Sequence, residues 1–170
     1  MSARRMSARA PLLSLALLGL LASCGDDAPA DVAGSYTVTV TNGDNGCMVD
    51  GWDEGESTAN IPLTVTQSDA SAVAEVGGLT GTFLSGWIGS NRFQGAVSGR
   101  TLDLVLVGTR EGSIPGCTYT VDAALEATVD GSFLDGTVTY TPRTDGAAGC
   151  GLLDACANVQ TLVGTRPPAE

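Results

Sequence analysis

The sequence predicts an all-β protein, an antiparallel up-and-down β-barrel of about eight strands. From Gly34 onward, apolar and polar residues alternate repeatedly with a period of two, as they do in strands with one buried and one wetted face. Glycine, asparagine and aspartate punctuate these segments in short loops, which favours hairpins over helical crossovers. A closed barrel is favoured because it removes exposed sheet edges, and a β-sandwich is the alternative.

The clearest strand lies at residues 117–128. Odd-numbered positions from Cys117 to Ala127 are apolar and predict a buried face, while the even-numbered positions between them are mainly polar and predict a wetted face. Residues 82–88 are interpreted as the continuation of strand 71–76 beyond a bend at Gly77 and Gly78. The remaining predicted strands are 36–40, 61–65, 92–97, 101–107, 134–140 and 159–163.

The first 23 residues have the layout of a secretory signal peptide. Three arginines precede an apolar stretch at residues 10–21, and small residues follow it up to Cys24. This stretch is shorter than the roughly 20 residues that a membrane-spanning helix needs. Residues 21–24, Leu-Ala-Ser-Cys, resemble the lipobox of bacterial lipoproteins. The resemblance implies cleavage before Cys24 and acylation of its sulfur and its new amino group, so that lipid anchors the mature chain to the bilayer.

Residues 24–33 are predicted to be the lipidated cysteine and a flexible tether, because the segment is small, acidic and without an apolar period. In lipoproteins of two-membrane bacteria, an aspartate directly after the cysteine tends to hold the protein at the inner membrane. Gly25 occupies that position here, so the resemblance implies the outer membrane, on its periplasmic or surface face. The predicted barrel occupies residues 34–166, and residues 167–170 form a tail.

Four cysteines remain once Cys24 is assigned to lipid. An even number in an exported chain predicts two disulfides, and all three pairings stay open. A four-thiolate zinc site lacks the paired C-x2-C spacing. In a simple meander, eight crossings place all four at one end of the barrel and put the tether and C-terminus at the other, whereas nine crossings separate them. The four residues are Cys47, Cys117, Cys150 and Cys156.

Two short features of the predicted barrel resemble the lipocalin-like (calycin) group. Gly34-Ser35-Tyr36 in the first strand is similar to the G-x-W opening of that group, with Tyr36 in the place of tryptophan. Arg166, after the last strand, is similar to the arginine that packs across this opening. The resemblance implies an apolar ligand cavity, although the many small inward residues are equally compatible with a narrow, filled barrel.

Composition excludes several functions. The chain contains no histidine and no lysine, so it lacks the imidazole of a Ser-His-Asp or Cys-His pair, imidazole metal ligands and a P-loop amine. Loss of residues 1–23 leaves five basic and 19 acidic residues and changes the formal charge from −11 to −14. No nucleic-acid partner is expected, because affinity for phosphate comes mainly from lysine and arginine.

The loop at residues 42–57 is the densest polar feature of the sequence. It combines glycines with five carboxylates, which suits Ca²⁺ because this cation takes several oxygen ligands from a flexible backbone. The spacing differs from that of an EF-hand, and a solvated acidic loop held by Cys47 is the alternative. The candidate ligands are Asp44, Asp50, Asp53, Glu54 and Glu56.

Carboxylates on predicted strands are the candidates for acid/base chemistry. The alternation places Asp122 and Glu126 on the wetted face, which favours plain surface charge over a catalytic pair. Trp52, in the acidic loop, is expected to pack over the barrel mouth, the alternative being an exposed contact with a sugar or a partner; Trp87 is the other large aromatic. The four strand carboxylates are Asp103, Asp122, Glu126 and Asp135.

The sequence therefore predicts a non-enzymatic, membrane-anchored envelope lipoprotein whose barrel binds a small ligand or a partner through its loop end. One alternative is a structural surface lipoprotein whose acidic loop is stabilised by calcium, the one cofactor that the sequence suggests. Another is a carboxylate-dependent hydrolase, which the lack of histidine disfavours. The sequence does not identify the ligand or the residues that bind it.

Overall fold

Eight strands form a closed antiparallel barrel in the structure, a computed structural model that describes residues 28–168. The all-β prediction is confirmed, and the barrel is consistent with the lipocalin-like resemblance. The predicted signal peptide and Cys24 lie outside the described residues. The elements are β1 (Gly34–Asn45), β2 (Ser57–Ser68), β3 (Ser71–Val76), α1 (Gly78–Trp87), β4 (Arg92–Ser98), β5 (Thr101–Leu106), β6 (Gly112–Ile114), β7 (Cys117–Asp130), β8 (Phe133–Thr144), a 3-10 turn (Ala148–Cys150) and β9 (Asn158–Thr165).

Strands that follow one another in the chain pair as antiparallel neighbours, from β1 to β5 and from β7 to β9. Two further pairings close the barrel. β1 pairs with β9, and β5 pairs directly with β7. The short strand β6, which comes between β5 and β7 along the chain, pairs with β7 alone. The first and last strands are thus joined, so the main barrel has no free edge.

Alternating burial along the strands builds the core, as the sequence pattern predicts. In β7, Val121, Ala123 and Leu125 are buried, whereas Glu126 lies on the outer face. The same alternation in the other strands directs apolar side chains into one continuous cluster inside the barrel. Among residues 28–168, no helix has the length and apolar character needed to cross a bilayer.

The prediction of a strand at residues 82–88 is wrong, since all but the last of these residues belong to α1. Leu84 and Ile88 are both buried, and their spacing of four residues is that of a helix face. A Cβ at Gly81 would lie 2.0 Å from the carbonyl oxygen of Val76, so the absence of a side chain lets α1 pack closely on β3. The chain still makes eight crossings, because α1 returns it to the end of the barrel that it left.

The two ends of the barrel differ in their connections. Short turns join the strands at residues 69–70, 99–100 and 131–132, at what we call the tether end. Longer connections meet at the opposite end, the loop end. They cover residues 46–56, 77–91, 107–116 and 145–157.

Both disulfides lie at the loop end. Cys47 is bonded to Cys156 and Cys117 to Cys150, so the predictions of two disulfides and of a shared end are confirmed. Cys47–Cys156 ties the first long loop to the segment just before β9. Cys117–Cys150 ties the start of β7 to the 3-10 turn. The loop end is therefore cross-linked at two places.

The chain before β1 closes the tether end. Val32 is fully buried, its backbone N–H donates to Gln67 Oε1 at 2.9 Å, and its carbonyl accepts from the Tyr36 hydroxyl at 2.8 Å. The backbone N–H of Ala30 donates to the carbonyl of Gly99 at 2.7 Å. Residues 30–33 belong to the predicted tether, and in the structure Ala30 and Val32 pack on the barrel.

Candidate functional site

The half of the barrel nearest the loop end contains a cavity of about 380 Å³, which we call the inner cavity. The exposed side chains of Leu79 and Phe83 belong to its lining, so it opens to solvent beside α1. Its volume is within the range of about 300–1,000 Å³ that is usual for ligand pockets. Most of its lining is apolar and comes from Val38, Val40, Trp52, Thr58, Ile61, Leu63, Val76, Leu79, Thr80, Phe83, Leu84, Trp87, Phe93, Leu125, Val138, Tyr140, Gln160 and Leu162.

Buried apolar side chains occupy the other half of the barrel. Leu102, Ala127, Val129 and Leu134 are buried and do not line the inner cavity. The two sequence interpretations, an open barrel and a filled one, therefore each describe one half of the same barrel.

A second cavity of about 310 Å³, the outer cavity, lies among the loops. It is bounded by the disulfide-linked segments at Cys47 and Leu153 and by the ends of β7 and β8. Its lining residues are Cys47, Val49, Asp50, Gly51, Trp52, Phe83, Trp87, Tyr119, Val121, Tyr140, Pro142, Leu153 and Asn158.

Four aromatic residues line both cavities. These residues, the aromatic cluster, are Trp52, Phe83, Trp87 and Tyr140. Ring centroids are 6.1 Å apart for Trp52 and Tyr140, 5.6 Å for Trp87 and Tyr140, and 5.8 Å for Phe83 and Trp87. These separations are typical of favourable aromatic pairs.

Trp52 lies in the first long loop and Trp87 at the end of α1, and local contacts hold each of them in place. The Trp52 indole donates to the carbonyl of Gly43 at 2.9 Å, and its ring packs against the core. The expectation that Trp52 packs over the barrel mouth is confirmed. Trp87 ends α1, whose last turn is tied to the β5–β6 connection by a hydrogen bond of 2.8 Å from Thr109 N–H to the Ile88 carbonyl.

The polar groups of the inner cavity are neutral and largely paired. The Tyr140 hydroxyl donates to Gln160 Oε1 at 2.9 Å, and Gln160 Nε2 donates to Asn42 Oδ1 at 2.8 Å. Burial raises the pKa of the Tyr140 phenol well above its ordinary value, so the group is uncharged at neutral pH. Of the described residues, no aspartate, glutamate or arginine lines this cavity.

Asn158 provides a buried polar group at the outer cavity, and it is only 3% exposed. Its Oδ1 accepts from the backbone N–H of Cys47 at 2.9 Å, next to the disulfide.

The five predicted calcium ligands are all exposed, and the structure does not bring any three of them within 4.8 Å of one another. Glu54 Oε1 instead accepts from the backbone N–H of Asn45 at 3.3 Å. The one group of this kind in the described part of the chain consists of Cys117, Asp145 and Cys150, and both of its sulfurs are held in the disulfide. Calcium binding at the acidic loop stays a prediction.

The strand carboxylates lie outside the barrel. Asp103, Glu126 and Asp135 are exposed, and Asp122 accepts from the backbone N–H of Gly108 at 2.8 Å. Asp122 also forms an ion pair of 3.3 Å with Arg143. The predicted outer positions of Asp122 and Glu126 are confirmed, and these carboxylates do not face the cavities as an acid/base pair would.

Large apolar side chains are exposed around the mouth of the two cavities. Leu79 and Phe83 on α1 are 90% and 65% exposed, and Met48 and Leu152 on neighbouring loops are 69% and 70% exposed. Exposed apolar residues that cluster in this way typically mark a binding surface.

Phe83, Tyr140 and Asn158 are not among the site residues that the sequence pattern predicts. A signal for Tyr140 exists, since it shares the inward positions of β8 with Leu134 and Val138 and carries a polar tip on that face. Phe83 is missed because its segment is interpreted as a strand. Comparisons of the chain with known family models, with curated proteins and with solved structures find no match.

Proposed function

We propose that this protein is a membrane-anchored lipoprotein of the bacterial cell envelope that binds a small apolar ligand in the inner cavity and does not chemically change it. The observation that carries the proposal is the apolar cavity of about 380 Å³, open at the loop end and walled by the barrel core. Such a cavity removes apolar surface of a ligand from water, which stabilises the complex by roughly 25 cal/mol per Å² before the costs of association.

The anchoring part of the proposal rests on the sequence of residues 1–24 and agrees with the geometry of the barrel. The segment that follows Cys24 joins the barrel at the tether end, opposite the cavity mouth. A lipid at Cys24 would thus leave the mouth free. Several acyl chains on one residue hold a protein at a membrane, whereas one chain binds only marginally.

The non-catalytic part of the proposal is supported by the chemistry of the cavity lining. Histidine and lysine are absent from the sequence. Among residues 28–168, the only ionisable group that lines the inner cavity is the Tyr140 phenol, which burial holds in its neutral form. General acid/base catalysis requires a group that exchanges a proton near the working pH.

Ligand binding is tested with the neutral probe N-phenyl-1-naphthylamine, whose fluorescence rises in apolar surroundings. The protein is the mature chain, residues 24–170, exported to an oxidising compartment and carrying C24S so that no detergent is needed. Val138→Phe fills the inner cavity and should abolish saturable binding. Val105→Phe is the matched control, because Val105 is exposed on the barrel exterior and lines neither cavity. Equal binding by both variants would refute the cavity as the site.

Anchoring is tested on the wild-type protein extracted from membranes. Intact-mass measurement should give residues 24–170 plus a diacylglyceryl group and an amide-linked acyl chain. A soluble protein without added mass would remove the anchoring claim and leave ligand binding untouched.

A further inference from the structure

The inner cavity suits an uncharged chain and offers nothing to a charged head group. Its wall is mainly aliphatic and aromatic, and the hydroxyl of Tyr140 is engaged with Gln160. A buried charge without a partner is costly. A ligand with a charged end would therefore place only its apolar part in this cavity and leave the charge at the mouth.

The mouth carries the aromatic cluster. Trp52, Phe83, Trp87 and Tyr140 line both cavities, so a group that sits between the cavities contacts several π systems at once. Aromatic faces attract cations, tryptophan most strongly, and grouped aromatic side chains are a recurrent site for quaternary ammonium groups. The cluster thus favours a cationic head group over an anionic one.

The charged side chains at the loop end also favour a cationic head group. Arg92 and Arg143 are paired with Glu75 and Asp122, and within residues 28–168 only Arg110 is left there without an ion pair. Asp50 itself lines the outer cavity. A rim of one charge sign concentrates the opposite ion at a cleft. The exposed carboxylates of the loop end without an ion pair are Asp44, Asp50, Asp53, Glu54, Glu56, Glu111, Asp145 and Asp154.

We propose that the ligand is a single-chain amphiphile with a positively charged head group. Its chain occupies the inner cavity and its cation lies against the aromatic cluster, inside the acidic rim. This inference rests on the proposed function, since it specifies the chemical class of the ligand for the same barrel. It also gives a role to the unusual charge of the chain, which has no basic residue from position 10 to position 91.

The test compares three probes of equal chain length, decyltrimethylammonium, 1-decanol and decyl sulfate, each below its micelle-forming concentration. Trp52 and Trp87 are the only tryptophans of the chain, so intrinsic fluorescence and the two indole N–H signals in ¹H–¹⁵N NMR spectra report directly on the site. We expect decyltrimethylammonium to bind saturably and at least about tenfold more tightly than decyl sulfate. This preference should shrink between 0.05 and 0.5 M NaCl as salt screens the rim.

Variants separate the aromatic contribution from general attraction to an acidic protein. Trp87→Leu should weaken the binding of decyltrimethylammonium about fivefold and the binding of 1-decanol less than about twofold. Trp87→Phe retains an aromatic ring and should recover part of the lost affinity. Asp50→Asn should also weaken the binding of decyltrimethylammonium. Its matched control is Asp69→Asn, the same change of charge at the tether end. Circular dichroism and the Tm of each variant establish that it is folded.

The outcomes distinguish the inference from the function on which it rests. If none of the three probes binds, the proposed function itself fails. If 1-decanol or decyl sulfate binds as tightly as the cation, the barrel is a carrier of another ligand class and the inference is overturned. Binding of the cation that does not saturate, or that Trp87→Leu and Asp50→Asn leave unchanged, would also overturn it, because surface charge alone would explain such binding.

Discussion

Arg166 lies across the ring of Tyr36, with the central guanidinium carbon 5.5 Å from the ring centroid. The same guanidinium donates to the backbone carbonyls of Asp31, Ala33 and Gly131, with distances of 3.0 Å to Asp31 and 3.1 Å to Gly131. A Cβ at Gly34 would lie 2.8 Å from Arg166 Cδ. One side chain thus joins the segment before β1, the β7–β8 turn and the end of β9.

Arg166→Ala should lower the free energy of unfolding by about 2 kcal/mol, because it removes the hydrogen bonds of a charged donor to three backbone carbonyls, together with the contact with Tyr36. Arg100→Ala is the control, since Arg100 forms an exposed ion pair of 2.7 Å with Asp130 at the same end of the barrel and such pairs contribute about 0–1 kcal/mol. Urea unfolding of both variants at pH 7 measures the difference. Equal losses would contradict a special role for Arg166.

Alanine substitution at two glycines of α1 should have opposite effects on stability. Gly81→Ala places a methyl group against the Val76 carbonyl oxygen and should cost about 1–3 kcal/mol. A Cβ at Gly86 would meet nothing within 4 Å, so Gly86→Ala should gain roughly 0.5–1 kcal/mol from the higher helix propensity of alanine. Thermal unfolding reports both as shifts of Tm, and a gain for Gly81→Ala would disprove the close packing of α1 on β3.

Digestion of the non-reduced protein with a protease that cleaves before aspartate separates the four disulfide cysteines into four peptides, 44–49, 103–121, 145–153 and 154–170. Mass spectrometry should find 44–49 linked to 154–170 and 103–121 linked to 145–153, as the structure requires. A link between 44–49 and 103–121 would show a different connectivity.

Removal of either disulfide by paired serine substitutions should destabilise the barrel unequally. Cys47–Cys156 spans 109 residues and Cys117–Cys150 spans 33, which corresponds to about 4.8 and 3.8 kcal/mol in the chain-entropy model. Urea unfolding should thus rank C47S/C156S as less stable than C117S/C150S. The reverse order would mean that contacts in the folded loops outweigh the constraint on the unfolded chain.

Stability should fall in alkaline solution partly because of Tyr140. Burial raises the pKa of its phenol above the ordinary value of 10.0, so above pH 10 the unfolded chain loses a proton that the folded barrel retains. The free energy of unfolding should then decrease with pH, by up to about 1.4 kcal/mol per pH unit for this group. Urea unfolding at pH 8, 10 and 11 should give a shallower dependence for Tyr140→Phe than for wild type, and identical slopes would count against the burial of the hydroxyl.

The sequence predicts the barrel well where a strand buries one face and exposes the other to water. In β7, apolar positions alternate with polar ones over ten residues, and only a strand with one wetted face satisfies that pattern. The positions of the cysteines predict an even number of crossings and a shared end, because connectivity and parity follow from a simple meander. The pairing of the disulfides is not predictable in this way, since several pairs of cysteines are equally close in such a scheme.

The mouth of the cavity was harder to predict because it depends on α1. Three glycines and few strong helix formers give this segment little intrinsic helix propensity, and packing of Leu84 and Ile88 on the core stabilises the helix instead. The spacing of Phe83, Leu84, Trp87 and Ile88 is helical, but it covers fewer than two turns. Only the fold brings Trp52 and Trp87, 35 positions apart in the sequence, next to the ring of Tyr140.

Because Ala30 and Val32 are attached to the tether end of the barrel, only the residues before Ala30 could act as a free linker to a membrane anchor. If Cys24 carries lipid, five residues lie between the anchor and Ala30, and the six Cα–Cα steps reach about 20 Å at full extension. A strand of 12 residues such as β2 spans about 40 Å. If the proposed anchoring and ligand binding hold, a linker shorter than the barrel keeps the cavity mouth from turning to face the anchoring bilayer, and the ligand would then reach the mouth from the aqueous side or from a facing surface.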